Sequence, residues 1–182
     1  MVGKGKYYES QFEEATIELL RESHWQYTFG DDIHRKYTDP LIEEDLRTFL
    51  AAQYKDKKLT ASEVDGIVAN LRNTGGQNDY YALQNTFLLY RDGYDFTYNE
   101  RRGNPFRLQY IDFEHPDHNI FRCVNQFVME QGRENRRPDI LLFVNGIPVC
   151  IIELKNPTKQ NATIRDAHTQ ICTRYMRDIP AL

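Results

Sequence analysis

Residues 136–155 read Arg-Arg-Pro-Asp-Ile-Leu-Leu-Phe-Val-Asn-Gly-Ile-Pro-Val-Cys-Ile-Ile-Glu-Leu-Lys, and this stretch constrains the fold more than any other. Two apolar runs rich in β-branched residues flank Asn145-Gly146, a dipeptide that readily takes the positive φ angles of a tight hairpin turn. The segment therefore predicts a hairpin of two buried strands. Its ionisable side chains stand only at the far ends, Asp139 on the first strand and Glu153 and Lys155 on the second. A lone charge is costly to desolvate, so two acids and a lysine at one end of an apolar hairpin call for a compensating partner, and a divalent cation is one candidate.

Strand geometry sharpens this. Side chains alternate faces, so Glu153 and Lys155 project together and the backbone carbonyl of Leu154 falls beside Glu153 as a further oxygen ligand. Hard cations such as Mg²⁺ take carboxylate, carbonyl and water oxygens. Such an ion acidifies a water and offsets charge on a phosphate, while Lys155 positions that water or stabilises the transition state. The register opposes the grouping: a two-residue turn pairs Val144 with Ile147 and Asp139 with Ile152, which sets the two carboxylates on opposite faces. A three-residue loop or a β-bulge is required, and Pro148, which cannot donate to a ladder, makes irregularity at its own position plausible. Acids and lysines that end strands are also common as solvated edges, so the spacing alone does not decide between the two readings.

Elsewhere the periodicity is first helical. Over 9–23, Phe12, Ala15, Thr16, Leu19 and Leu20 form one stripe, with Glu13 directed inward at its edge and Glu14 toward water. Asp39 before Pro40 predicts the cap of a helix carrying Leu41, Leu46, Phe49, Leu50 and Tyr54. Thr60 and Glu63 form a capping box ahead of Val64, Ile67, Val68 and Leu71. A turn over 75–79 precedes a helix with Tyr81, Leu83, Phe87, Leu88 and Tyr90, ending near Gly93. Short aromatic and β-branched runs then predict strands at 106–113, 120–128, 140–144 and 149–154. From Thr163 the helical period returns with Ile164, Ala167, Ile171 and Tyr175 on one face and Pro180 beyond the end. The expected architecture is one α/β domain over 1–182, helical over 9–93, with a sheet core at 106–155 and a last helix at 163–178.

Composition narrows the setting. Hydrophobic residues at 40% and aromatics at 13% support a packed core, while a net charge of −4 is opposite to that of an autonomous, tight DNA binder. Nucleic-acid affinity must then be local or supplied by partners. Three cysteines, at 123, 150 and 172, cannot all pair within the chain and point to a reduced compartment. The N-terminal residues are too polar for a signal peptide and no apolar run approaches the roughly 20 residues of a membrane span, so a soluble cytoplasmic protein without membrane contact is expected. Gly3-Lys4-Gly5-Lys6 lacks the P-loop pattern and no ATP site is visible. His115-Pro116-Asp117-His118 offers metal-ligand types, but no further His or Cys cluster supports them and the stretch reads as a polar turn. Arg136 and Arg137, beside Asp139, suit either phosphate binding or a solvated basic pair.

The hairpin and its surroundings resemble the PD-(D/E)xK nuclease motif as found in the N-terminal domain of the restriction (R) subunit of type I restriction-modification enzymes. Ile111-Asp112-Phe113-Glu114, Asn119, Val124-Asn125-Gln126-Phe127, Arg137-Pro138-Asp139, 143–148 and Ile152-Glu153-Leu154-Lys155-Asn156-Pro157 follow that family in order and spacing, and Glu9-Ser10-Gln11-Phe12-Glu13 resembles its first helix. The resemblance implies a restriction-endonuclease-like core, a mixed or antiparallel sheet flanked by helices. It also implies metal ligation by Asp139 and Glu153, catalysis by Lys155, and an approach of Glu13 to the site. The family's Gln-xxx-Tyr element, a DNA-contacting and cleavage-supporting pair, maps to Gln170 and Tyr175, which here are separated by four residues instead of three. On an α-helix the family's spacing sets the pair about 40° apart and the present one about 140° apart, so Tyr175 is open to a core role as well as a functional one.

By the same resemblance, the function expected is Mg²⁺-dependent cleavage of double-stranded DNA. It would depend on an ATP-driven, helicase-like motor following in the same subunit and on methyltransferase and specificity subunits, with ATP acting only through the motor. The chain stops at Leu182, where such a motor is expected to begin, and so reads as part of a larger subunit. Two other readings stand beside this one: a catalytically inactive nuclease-like module for assembly or DNA docking, and a nuclease of another defence or repair system.

Overall fold

A computed structural model describes residues 9–74, 80–98, 103–155 and 163–178. In chain order the elements are α1 (Glu9–Glu22), β1 (Gln26–Phe29), α2 (Glu43–Gln53), α3 (Ala61–Thr74), α4 (Tyr80–Asp92), β2 (Tyr94–Phe96), β3 (Phe106–Leu108), β4 (Phe121–Asn125), β5 (Met129–Gln131), β6 (Glu134–Arg136), β7 (Ile140–Val144) and β8 (Ile147–Ile152), then a last helical segment made of α5 (Ile164–Thr169), a π-helical turn (Gln170–Tyr175) and α6 (Met176–Asp178). The expected turn over 75–79, the polar 1–8 segment, the Asn156-Pro157 end of the motif and Pro180 lie outside the described residues, as does the Leu83 side chain.

The central sheet is mixed and runs β1-β4-β7-β8, with β1 parallel to β4 and the other pairs antiparallel. Together with the helices this is the α/β arrangement of a restriction-endonuclease-like core. Two apolar clusters flank it. Leu46, Phe49 and Leu50 of α2 pack with Ile67, Val68 and Leu71 of α3, and with Leu108, Tyr110 and Ile147. Val124, Leu141 and Phe143 pack with Ile42, Phe127 and Met129 in the second. A bidentate ion pair from Arg122 to the buried Asp45 (2.6 and 2.7 Å), extended by a hydrogen bond to the Thr28 hydroxyl, ties α2, β4 and β1 together. Removing one partner of such a pair leaves an uncompensated charge, so it fixes position strongly.

The Asn145-Gly146 turn forms as expected, with φ of 51° and 76°. It differs from a surface hairpin tip in being buried. Asn145 is fully covered: its amide donates to Tyr110 O and Asn119 Oδ1 (both 2.8 Å) while its Oδ1 accepts from Ile120 N–H (2.7 Å). A Cβ on Gly146 would stand 2.1 Å from Ile42 O, whose own N–H donates to Gly146 O at 2.9 Å. Glycine is needed both for its φ and for this approach.

That contact corrects the expectation for the second helix. Ile42, whose N–H bonds the hairpin turn, has the non-helical backbone of an N-cap (φ −93°, ψ 85°), so the helix starts only at Glu43. Asp39 instead bonds Leu41 N–H through Oδ1 and Arg72 through Oδ2. The Thr60–Glu63 capping box is present in both directions, at 2.8 and 3.2 Å. On α1, Glu13 is half-buried and Glu14 exposed, as the helical phase requires, but Ala15 and Leu19 face outward, and Phe12, Thr16, Ile17 and Leu20 make the inner face. On α4, Tyr81, Phe87 and Leu88 are exposed and Leu89 is the buried residue. The last helical segment leaves Ile164 exposed, so its inner face begins later, at Ala167, Gln170 and Ile171. Runs expected as long strands are short, because the chain turns after Leu108 and Asn125; β1, β2, β5 and β6 were not anticipated. We expect Gly146→Ala to lower the unfolding free energy by about 2 kcal/mol or more, because it strains φ and collides with backbone that cannot yield; urea denaturation of the two proteins measures it.

Candidate functional site

The β7–β8 pairing holds the irregularity that the register requires. Val144 pairs with Ile147 and Phe143 with Pro148, then the ladder skips Val149 and resumes as Leu142 with Cys150, Leu141 with Ile151 and Ile140 with Ile152. This is a β-bulge on β8 at Pro148-Val149. Continuing the shifted register brings Asp139, immediately before β7, opposite Glu153, immediately after β8. The ends are joined directly, since Leu154 N–H donates to Asp139 Oδ2 at 2.7 Å. Leu154 thus meets the site through its amide, while Gln126 N–H bonds the Asp139 carbonyl at 3.1 Å and fixes the other side.

The Glu153 side chain is enclosed, with 4% of it exposed. Lys155 Nζ donates to its Oε1 at 2.8 Å. The other contacts come from the last helical segment: Gln170 Nε2 donates to Glu153 Oε1 and, at 2.9 Å, to the Tyr175 hydroxyl oxygen, and the Tyr175 O–H donates to Glu153 Oε2 at 3.0 Å. The structure therefore brings Gln170 and Tyr175 together on the acid despite their spacing. Burial, with the carboxylate beside it, holds the Tyr175 phenol well above its ordinary range.

Glu13 reaches the same region from α1. Its carboxylate accepts from Asn125 Nδ2 at 2.7 Å and from Gln126 Nε2 at 3.1 and 3.2 Å. Asn125 and Gln126 were not singled out as site residues from the sequence. The available signal was an adjacent pair of amides, Asn125 and Gln126, following the apolar Cys123-Val124. Burial pushes the Asp139 carboxyl up to about 6; the Leu154 N–H and Lys155 pull it down, and Glu153 and Glu13 push it up further. Asp139 and Glu153 thus stand beside one ammonium, with Glu13 near enough to act weakly on the Asp139 carboxyl. Among the described residues, Asp139 Oδ1 accepts no hydrogen bond. A desolvated carboxylate with a free oxygen, a second buried carboxylate and an all-oxygen donor set suit a hard divalent cation.

The basic pair divides. Arg136 is bound to the buried Asp178 and, at 3.0 Å, to Glu134, so it fastens α6 to β6. Arg137 is exposed and pairs with no carboxylate among the described residues. The His115–His118 stretch is a turn organised by Asp112. Oδ1 of Asp112 accepts from Glu114 and His115 N–H, and its Oδ2 bonds Gln53 Nε2 and His118 Nδ1. These three side chains lie close enough to share an ion. Both Asp112 oxygens are already engaged in holding the turn, which accounts for its burial without a metal.

The profile of the family described as "Type I restriction enzyme R protein N terminus" matches residues 6–182. Among curated proteins, the chain is 29% identical over 184 residues to the "Type I restriction enzyme HindI endonuclease subunit" of Haemophilus influenzae, covering 96% of the chain. It is 31% identical over 187 residues, covering 93% of the chain, to the "Putative type I restriction enzyme MjaIXP endonuclease subunit" of Methanocaldococcus jannaschii. The chain spans 17% of the length of each of these relatives.

The raised Asp139 carboxyl sets a pH dependence. The folded protein binds that proton more tightly than the unfolded chain does, with a pKa of about 6 against the ordinary 3.8, so ionisation costs folding free energy. The cost is absent below about pH 4, grows as pH rises through about 6, and is complete above it. We therefore expect metal-free Asp139→Asn protein to melt at a higher temperature than the unaltered chain near pH 8, with the gap closing by about pH 4; melting curves across that range test it.

Proposed function

Because the chain belongs to the Type I restriction enzyme R protein N-terminus family, we propose that it is the DNA-cleaving region of a type I restriction enzyme R subunit, a metal-dependent phosphodiester hydrolase acting on double-stranded DNA. The observation that carries this reading is the bulged β7–β8 hairpin, whose shifted register puts Asp139 opposite Glu153, with Lys155 bonded to Glu153.

Asp139 and Glu153 are the residues to hold the cation, Mg²⁺ being the hard ion that suits them, with the Leu154 carbonyl as a further oxygen and Glu13 as an outer acid. When bound, the ion supplies Lewis acidity, which activates a water and offsets negative charge on the scissile phosphate. The chain's own groups do the rest. Gln170 and Tyr175 hold both oxygens of Glu153, so its carboxylate meets the cation in one orientation rather than many. Lys155 neutralises Glu153 in the metal-free protein. Transfer of its ammonium toward an incoming phosphate places positive charge where the transition state gains negative charge. Asn125 and Gln126 keep Glu13 facing the acids. Arg137, exposed beside the site, is the cation available to a DNA phosphate, and Arg136 acts through structure.

The wider setting proposed is the one that the family resemblance implies, and the chain spans 17% of the length of the relatives it matches. The partners proposed are DNA, an ATP-driven motor in the same subunit, and methyltransferase and specificity subunits. A net charge of −4 accords with DNA being held mainly by those partners. Among the described residues no helix is long and apolar enough to cross a membrane, and a cytoplasmic location is part of this proposal. In plasmid-cleavage assays on the reconstituted enzyme with Mg²⁺ and ATP, Asp139→Ala, Glu153→Ala and Lys155→Ala should each lower cleavage by about 100-fold or more while ATP hydrolysis persists. Cleavage at the unaltered rate by all three would exclude this site as the catalytic one and favour a docking module.

A further inference from the structure

The last helical segment changes its winding within the site. Met176 N–H bonds to Ile171 O, five residues back, and Gln170–Tyr175 forms a π-helical turn between α5 and α6. In such a turn, residues five apart stand roughly where residues four apart stand on an α-helix, and single π turns of this kind recur at functional sites. Gln170 and Tyr175 are five apart, and the turn that separates them is the π turn itself.

The segment is tied to the rest of the fold on both sides of the turn, at Gln170 through Glu153 and at Asp178 through Arg136. Upstream, Thr163 and Asp166 form a capping box that fixes where α5 begins. Downstream, the buried Asp178 is held by Arg136 of β6. A regular α-helix through the same sequence would rotate one flank by about 100° against the other. It would set Gln170 and Tyr175 about 140° apart, so that Gln170 could not reach Glu153 while Tyr175 and Asp178 kept their partners. The residues in the wide turn, Cys172, Thr173 and Arg174, are all exposed.

We propose that the π turn is a register device: it absorbs one surplus residue at 172–174, so that Gln170 and Tyr175 close as a two-point clamp on the carboxylate oxygens of Glu153. They are positioning residues, acting on the centre through Glu153; that last step rests on the metal-dependent reading above. Removing the surplus residue should leave an ordinary α-helix with both flanks in place, whereas adding another should turn them out of phase.

The test uses the purified 182-residue chain in three backbones: unaltered, lacking Thr173, and with one alanine inserted after Thr173. In each, a double-mutant cycle of Tyr175→Phe and Glu153→Ala is read as shifts in melting temperature. In the unaltered and shortened backbones Tyr175→Phe should lower the melting temperature by about 3 °C when Glu153 is present and by less than about 1 °C when it is alanine. In the lengthened backbone the coupling should vanish. Loss of coupling on shortening, or its survival on lengthening, overturns the proposal. Should the shortened chain not fold, additive effects of the two substitutions in the unaltered backbone overturn it equally. Mn²⁺ binding, followed by the electron paramagnetic resonance of the free ion, gives the functional readout. Affinity should match in the first two backbones and fall about tenfold in the third and in Gln170→Ala. Coupling that tracks the backbone without Mn²⁺ binding to the unaltered chain supports the register device and removes the metal-centre reading instead.

Discussion

In an antiparallel pair whose side chains alternate faces, Asp139 and Glu153 can act on a common partner only if β8 carries one residue more than β7 between the turn and the site. The bulge at Val149 provides it. Much of the surrounding structure serves to hold that offset. Asn145 is locked by Ile120, Tyr110 and Asn119, so the turn cannot lengthen. Ile42 closes over Gly146 and Arg122 ties α2 to β4, which fixes the hairpin against the helical layer. With the tip immobile and the pairing fixed beyond Leu142, the irregularity is confined to Pro148-Val149.

The groups gathered by this offset are not in electrostatic balance. Asp139 and Glu153 act on one another, with Glu13 as a weaker influence, and Lys155 bonds only Glu153, while burial raises the Asp139 carboxyl to about 6. Neutral donors do most of the remaining work: two amides hold Glu13, an amide and a phenol hold Glu153, and a backbone N–H holds Asp139. These donors orient the carboxylates without cancelling their charge. The result is an oriented group of acids whose charge only a proton, at mildly acidic pH, or a bound cation would offset.

How far this could be read in advance depended on the range of the interaction involved. Local signals were legible: the Asn-Gly turn, the Thr60–Glu63 cap, the inward phase of Glu13 and the need for a bulge all follow from residues a few positions apart. Distant partners were not. Asp39 looks like a helix cap until Ile42 is committed to Gly146, over a hundred positions away in the chain, and Arg136 looks free until Asp178 is seen. Strand β1 carries little apolar pattern of its own and exists because β4 offers it an edge. The five-residue spacing from Gln170 to Tyr175 was interpreted with α-helical geometry, under which it looks like a defect. Only the observed winding shows that the two side chains meet.

The irregular stretch of β8 also bears on how copies of this chain behave toward one another. Within the described residues β8 is an outer strand of the central sheet, with Val149 exposed on a run that is otherwise strongly apolar. A straight strand of this composition would present a regular row of unpaired amides and carbonyls, a template on which a second molecule could extend the sheet. Pro148 removes one donor from that row and the extra residue kinks the rest out of line. The distortion that shifts the register toward the site on one side thereby interrupts the row of backbone groups on the other, at a strand whose outer edge pairs with no further strand among the described residues.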